Sequence, residues 1–548
     1  MGVFEQVSEK SGDSLVDIAL DALKKNKQLI VFVNTKRSAE AVAERLYSKA
    51  FSTNDESKDL ETLSDKVLHA LSNPTKQCKR LSKTLLRGVA FHHSGLNSLQ
   101  RDLIEEGFRN KTIKIICATP TLAAGVDLPA GRVIIRDLKR YGGVWGMSNI
   151  PVLEYEQQAG RAGRPKFDKT GEAVCIASTN SEKEDIWETY VKGFPEEILS
   201  KLAVEPVLRT YILSLVATKI VGSMSELRTF LSKTFYAHQY KDLSKLFSIL
   251  DLMVLKLEEW EFIISNNDKK TKNKEQRSEY KSLNTDFMSA SDILNNENKD
   301  FELKATKLGE RIAELYLDPQ TANYLLLCMQ RANDAKVLKP FSFLQMASWT
   351  LEMRPLIRTR QKDIPLVNSK LVEESGSFYC LEPDEYNEEY DEFLDSIKTS
   401  IVLDSWIDEF GEDKLFDEYN VTPGELNSKL DRMDWLLFSC YELSKIRGFR
   451  EISNFILKLR IRLKNGVREE LLPLLKLKGV GRVRARKLFA NSVKDLGDVK
   501  KIDISSLASL IGKKLALDVK KQVGQNLSED KIIVKPKKRK GQISLEDF

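Results

Sequence analysis

Gln157-Gln158-Ala159-Gly160-Arg161-Ala162-Gly163-Arg164-Pro165 sits between short apolar runs, and that placement decides the fold. Its two arginines are three residues apart and share one side of a helical turn. The glycines and alanines between them let the backbone approach another surface closely. A pair of this kind can grip a phosphate chain and stabilise charge on a transferring γ-phosphoryl group. Apolar, β-branched runs at 29–33 (LIVFV), 113–117 (IKIIC) and 132–138 (RVIIRDL) precede it, and 172–177 (EAVCIA) follows. Helix-like stretches such as 37–50 and 97–109 separate them. That alternation predicts a parallel α/β sheet.

Farther out, 548 residues at roughly 150 per domain predict three or four domains. The composition, 42% hydrophobic and 30% charged with 27 Gly and 15 Pro, excludes collagen-like, mucin-like and wholly disordered chains. Lys and Arg number 86 against 80 Asp and Glu, and a net charge of +6 is too mild to identify a polyanionic partner by itself. Cys78, Cys117, Cys175, Cys328, Cys380 and Cys440 stand singly without metal-ligand spacing. Neither a disulfide framework nor a metal site is expected of them, as in a reducing cytosol. There is no signal-peptide pattern and no apolar run approaching the roughly 18 residues of a membrane span, so a soluble intracellular protein without a membrane partner is expected.

From about residue 200 the pattern turns helical. Residues 203–264 read as short helices followed by a long one around Ser248–Glu261, which fits a small winged-helix module. Residues 265–300 are polar and read as an exposed insertion. A second helical block, 305–460, is interrupted by the acidic segment 382–395, read as a solvated face with no chemistry. The excess positive charge lies in 458–490, from Lys458, Arg460, Arg462 and Lys464 to Arg482, Arg484, Arg486 and Lys487. The end of the chain, KPKKRK (535–540) then GQISLEDF, reads as a disordered basic arm with a short motif at its tip.

Together with LIVFVNTKRSAE (29–40), FHHSGL (91–96) followed by Arg101, and ATPTLAAGVDLPA (118–130), the 157–165 stretch resembles the second RecA-like domain of a superfamily 2 helicase. The four blocks stand in the order of motifs IV, IVa, V and VI. Their mechanics also read independently: a strand ends, a Thr or Ser follows, and a helix N-terminus offers N–H groups to a phosphate. The resemblance implies that Asn34, Thr35, Arg37, His93, Thr119 and Thr121 line the track for a nucleic-acid backbone. It implies that Gly125 and Asp127 approach the nucleotide, and that Arg161 and Arg164 reach its phosphates with Gln157 as a further catalytic residue. Histidines at strand ends, such as His92 and His93, are commonly structural.

AAGVDLPA and GRAGRP are similar to the Ski-two-like group, and the C-terminal layout narrows the resemblance to the archaeal HelQ-type DNA repair helicases. Those enzymes carry a strand-splitting β-hairpin between motifs V and VI, which implies that role for Tyr141, Trp145 and Met147. An apolar tip can replace base stacking as a pair opens. ATKLGERIAELYLDPQTA (305–322) resembles the start of the family's helical ratchet domain, in which Trp435 would stack on a base. Two turns earlier the family has an Arg and this chain has Ser428, leaving Lys429 or Arg432 as the substitute phosphate grip. LKLKGVGRVRARKLF (475–489) has helix-hairpin-helix spacing, with Gly479, Gly481, Arg482 and Arg484 binding backbone phosphate without reading sequence. Gln542, Leu545 and Phe548 are similar to the motif that docks on the sliding clamp PCNA.

The expected architecture is multidomain. It comprises an α/β RecA-like domain (1–199), a winged-helix domain (200–304), a helical ratchet (305–460), a helix-hairpin-helix domain (461–525) and a basic tail (526–548). No G-x-x-x-x-G-K-[ST] loop and no D-E-x-H box occur in the sequence, so the first motor domain is expected elsewhere, in a complementary N-terminal half. The expected activity is ATP-dependent, 3′-to-5′ unwinding of forked DNA, with ATP and Mg²⁺ as cofactors and the magnesium ligands supplied by that half. Single-stranded and forked DNA are the expected partners and an archaeal, nucleoid-associated cytoplasm the expected location. A non-catalytic DNA-binding adaptor and an RNA helicase subunit are the competing readings.

Overall fold

The computed structural model describes residues 10–49, 58–71, 74–123, 126–141, 147–163, 170–266 and 300–525. Gly125, Arg164, Trp145, the side chain of Tyr141, nearly all of the polar insertion and the tail with Gln542, Leu545 and Phe548 lie outside the described residues.

The chain forms two compact units: 1–198 with 412–428, and 199–411 with 429–548. The first is built on a five-stranded sheet in the order β2-β3-β1-β4-β7, with β1 Leu29–Phe32, β2 Val89–His92, β3 Ile115–Ala118, β4 Arg132–Ile135 and β7 Glu172–Cys175. All four pairings are parallel, with Leu29 opposite Ile115 on one side and Arg132 on the other. The predicted α/β sheet is therefore present. Every residue of β1 to β4 is buried, which is why these strands read as unbroken apolar runs rather than as alternating ones. The helices Lys36–Lys49 and Ser98–Arg109 fall where the sequence predicts them. Strand β2, VAFH, was not among the predicted strands; it is only four residues long and ends in a histidine.

Arg132 is an exception to the apolar rule in β4. It is 2% exposed, its Nε donating to Glu172 at 2.6 Å and its Nη1 2.8 Å from Asp21, so the buried charge is matched on both sides. Because the strands are parallel, Val33–Thr35, His93–Leu96, Thr119 and Arg136–Asp137 all follow the same, C-terminal, edge of the sheet. Open α/β sheets bind ligands at that edge. Strands β5 Lys139–Tyr141 and β6 Met147–Asn149 form a separate antiparallel pair, Tyr141 opposite Met147.

The second unit is almost wholly helical. Helices Glu205–Ala217, Met224–Leu231, Phe235–Gln239 and Ser244–Glu259 precede a two-stranded sheet of β8 Ile263–Ser265 with β9 Leu303–Ala305. Its next helices include Lys307–Glu314, Pro319–Ala335, Pro340–Ser348, Tyr390–Ile407 and Arg450–Asn465. The last stretch has its own core, running from Val467 through Leu474, Ala485 and Leu507 to Val519. Helix Pro423–Arg447 opens within the first unit, and its turns from Lys429 onward belong to the second.

Candidate functional site

Asn34 and Thr35 follow β1 directly. The Thr35 hydroxyl accepts the Ser38 N–H at 3.0 Å and so caps helix Lys36–Lys49, leaving its first amides at the sheet edge. Thr35 and Arg37 are exposed. Asn34 donates its own N–H to Asp137 Oδ2 at 3.1 Å and its side-chain amide to the carbonyl of Lys139, the first residue of β5. Asp137 is held in turn by Arg136, at 2.7 and 2.9 Å. After the neighbouring strand β3, Thr119 and Thr121 lie with hydroxyl oxygens 3.0 Å apart, Thr121 exposed and Thr119 nearly buried. A single 3-10 turn, Pro120–Leu122, follows Thr119 where a helix start was expected.

His93 has no open face for DNA. It is fully buried, its Nδ1 accepting the Gly95 N–H at 3.1 Å and its Nε2 3.3 Å from Glu40. This corrects the expectation of a backbone contact: the ring shapes the turn after β2. His92 is likewise buried, with Nε2 3.1 Å from Glu105, and burial lowers its pKa.

The expected helical placement of Arg161 is corrected too. Helix Val152–Ala159, whose first amides Val152 and Leu153 donate to the Glu196 carboxylate at 2.7 and 3.2 Å, stops at Gly160. Arg161 therefore lies beyond the helix, in a turn tied to the start of β4: Ala130 N–H donates to Arg161 O at 2.9 Å and Gly163 N–H to Ala130 O at 2.7 Å. Gly163 has φ +97, a conformation that favours glycine. The Arg161 guanidinium donates to Ala123 O, from Nε at 3.0 Å and again from Nη2, and to Val126 O. It thus clasps the loop whose next residue, Asp127, is exposed. Gln157 is exposed, whereas Gln158 is buried with an unpartnered Oε1. Arg161 thus fixes, through backbone carbonyls, the loop that leads to the exposed Asp127. Among the described residues, no cluster of three or more His, Cys, Asp or Glu side chains stands ready for a metal ion.

The β5–β6 hairpin is fixed at its base. Tyr190, absent from the sequence-derived site, lies with its hydroxyl 2.9 Å from Ile150 O and 3.3 Å from Leu138 O, the residues that flank the two strands. Its ring packs at 5.0 Å from Tyr155. Arg140 adds an ion pair to Glu154 at 2.8 Å. Beyond this footing Met147 is 64% exposed.

Trp435 is half-buried and its indole N–H donates to Leu315 O at 3.1 Å. The adjacent Asp434 takes both Arg460 donors, at 2.8 and 2.9 Å. Of the substitute cations, Lys429 is 6% exposed and is spent on the carbonyls of Met353, at 2.9 Å, and Pro355; Arg432 donates to Arg354 O. Lys429 is therefore no phosphate grip. At the predicted hairpin, Gly479 has φ +85 and Gly481 opens helix Arg482–Ala490 into free space. Arg484 is exposed and bonds Gly479 O at 2.9 Å; Arg482 lies over the Trp406 ring at 4.8 Å.

Two family models match: "Helicase conserved C-terminal domain" over residues 60–166 and "Archaeal helicase, domain 4" over 341–466. A Pyrococcus horikoshii protein named ATP-dependent DNA helicase Hel308 is 36% identical over 96% of this chain and 68% of its own length. The chain belongs to the Hel308 family. Hel308 proteins of Methanocella arvoryzae and Methanococcus vannielii are each 34% identical over 95% of the chain, covering 66% and 69% of their lengths. The chain thus spans about two thirds of the length of these Hel308 relatives. Among the described residues no helix is long and apolar enough to cross a membrane.

Proposed function

We propose that this chain is the strand-gripping and strand-splitting part of an ATP-dependent DNA helicase that moves 3′ to 5′ and opens forked DNA of the kind left by stalled replication. One observation carries the reading: Asn34, in the strand-end track, holds the first carbonyl of the β5–β6 hairpin with its own side chain. In this reading that bond links the residues that would grip the backbone to the first strand of the hairpin that would part the duplex. The names of the Hel308 relatives support DNA as substrate and ATP as fuel.

In this reading Asn34, Thr35, Arg37, Thr119 and Thr121 hold phosphates, Tyr141, Trp145 and Met147 form the wedge, and Trp435 stacks on a base. Among the described residues, the four helices and two strands of 205–305 support the winged-helix reading, and the turn at Gly479–Gly481 supports the helix-hairpin-helix. Gly125, Asp127, Gln157, Arg161 and Arg164 would face the nucleotide. Hydrolysis also needs a phosphate-cradling loop and magnesium carboxylates, and neither a G-x-x-x-x-G-K-[ST] nor a D-E-x-H pattern occurs in the sequence. A complementary RecA-like domain supplies them in this proposal, with Mg²⁺ bound there. In the same proposal Gln542, Leu545 and Phe548 dock on PCNA.

The test is DNA-stimulated ATP hydrolysis and fork unwinding by the chain alone and mixed with a first motor domain from a Hel308 relative, with Arg164→Ala as control. Activity only in the mixture, lost in the variant, is the expected outcome. Fork binding without ATPase in the mixture would point to the adaptor, and a preference for RNA over forked DNA to the RNA helicase.

A further inference from the structure

Helix Lys307–Glu314 ends in a tight turn: Leu315 N–H donates to Arg311 O at 3.0 Å, Tyr316 N–H to Ala313 O at 3.1 Å and Leu317 N–H to Ile312 O at 3.3 Å. Such an ending requires a left-handed residue, usually glycine, and Tyr316 takes the position with φ 55. The other non-glycine residues with positive φ among the described residues are all polar or charged; Tyr316 alone is aromatic. Burial does not compensate for the strained backbone. Leu315 and Leu317 are 6% and 1% exposed and pin the turn on both sides, while Tyr316 is 85% exposed. The turn is anchored further along by Asp318, which takes both donors of the buried Arg209 at 2.5 Å. The Leu315 carbonyl, part of the peptide unit that contains the Tyr316 nitrogen, is the acceptor of the Trp435 indole N–H.

A large flat ring is thus held outward, at a cost to the backbone, beside the tryptophan to which base stacking is assigned. Strained backbone that packing does not explain is characteristic of ligand-binding positions. We propose that Tyr316 is a second stacking platform for a base of the single strand, next to the one on Trp435. The inference rests on the DNA-strand reading above. Stacking by aromatic side chains tolerates any base, so the site would add affinity without sequence preference.

The experiment measures binding of the full chain to a fluorescent oligo(dT) and to a duplex of the same length, comparing wild type, Tyr316→Gly and Tyr316→Phe. Glycine suits the backbone of this turn, so Tyr316→Gly should fold at least as well as wild type. It is expected to bind the single strand about tenfold more weakly, with duplex affinity unchanged because paired bases are already stacked. Tyr316→Phe keeps the ring and should stay within about twofold of wild type. Equal single-strand affinity of Tyr316→Gly and wild type overturns the inference while the DNA reading stands. So does an equal loss on single strand and duplex, or a Tyr316→Phe as weak as Tyr316→Gly. Failure of wild type to bind oligo(dT) overturns the DNA reading, and this inference with it.

Discussion

Asp404, on helix Tyr390–Ile407, has its carboxyl pushed up to about 6 by burial, with Asp408 adding to the effect and Lys370 and Arg462 opposing it. Between roughly pH 4 and 6 the folded chain therefore keeps a proton that the unfolded chain has lost, and this group's contribution to stability falls as pH rises through that window. Asp404→Asn should raise the Tm above pH 6, by on the order of 5 °C, with the gain vanishing near pH 4. Thermal melts of both proteins at pH 4 and pH 8 check it. At this scale the sequence was a partial guide. It marked Thr35, Thr119 and Trp435, whose placement follows from strand ends and one helix. It could not show that His93 and Lys429 are consumed internally, because their partners Glu40, Met353 and Pro355 arrive from distant parts of the chain.

Among the elements, the legible ones carried a period or an unbroken apolar run. Strands β1, β3 and β4 were visible because burial on both faces leaves few polar positions, the partly exposed edge strand β7 because its run is still apolar, and helices 36–49 and 98–109 because their apolar residues recur at helical spacing. The Val152–Ala159 helix, by contrast, ends before Arg161, whose backbone and that of Gly163 are bonded to Ala130 instead. The hairpin depends on an element that no motif includes. Tyr190→Phe removes the hydroxyl that donates to Ile150 O and, at longer range, to Leu138 O, which also takes the Ile150 N–H at 2.9 Å, and should cost about 1 kcal/mol. The expected outcome is slower strand displacement by the assembled enzyme with unchanged affinity for single strands, measured by fork unwinding and anisotropy side by side.

At the scale of the whole molecule, residues 412–428 belong to the sheet-built unit although the second unit intervenes in sequence. Gly424 N–H donates to Gly95 O at 3.0 Å, Lys36 pairs with Glu425 at 2.6 Å and Lys76 with Asp417 at 2.7 Å. Burial would raise the Glu425 carboxyl, but Lys36 and the Thr422 amide and hydroxyl hold it below the usual range. A Cβ on Gly424 would come within 2.6 Å of Leu96 O and closer still to Ser94 O, so no side chain fits. Gly424→Ala should loosen the segment, seen as faster amide exchange across 412–428 with the central strands still protected. No local pattern announces this docking, because its contacts span more than 300 residues of chain, as the separations of 389 and 341 for the two ion pairs illustrate.

That segment also sets a schedule for biosynthesis. A ribosome adding roughly 5–20 residues per second needs on the order of 10–40 s to pass from Ile198 to Glu412. Throughout that interval the nascent sheet waits with its Ser94–Leu96 turn and Lys36 uncovered, while the helices that must fold next are still emerging beside it. The last piece of the first unit is thus delivered by the growing second one, and the first unit reaches its final form only once translation has passed Ser428.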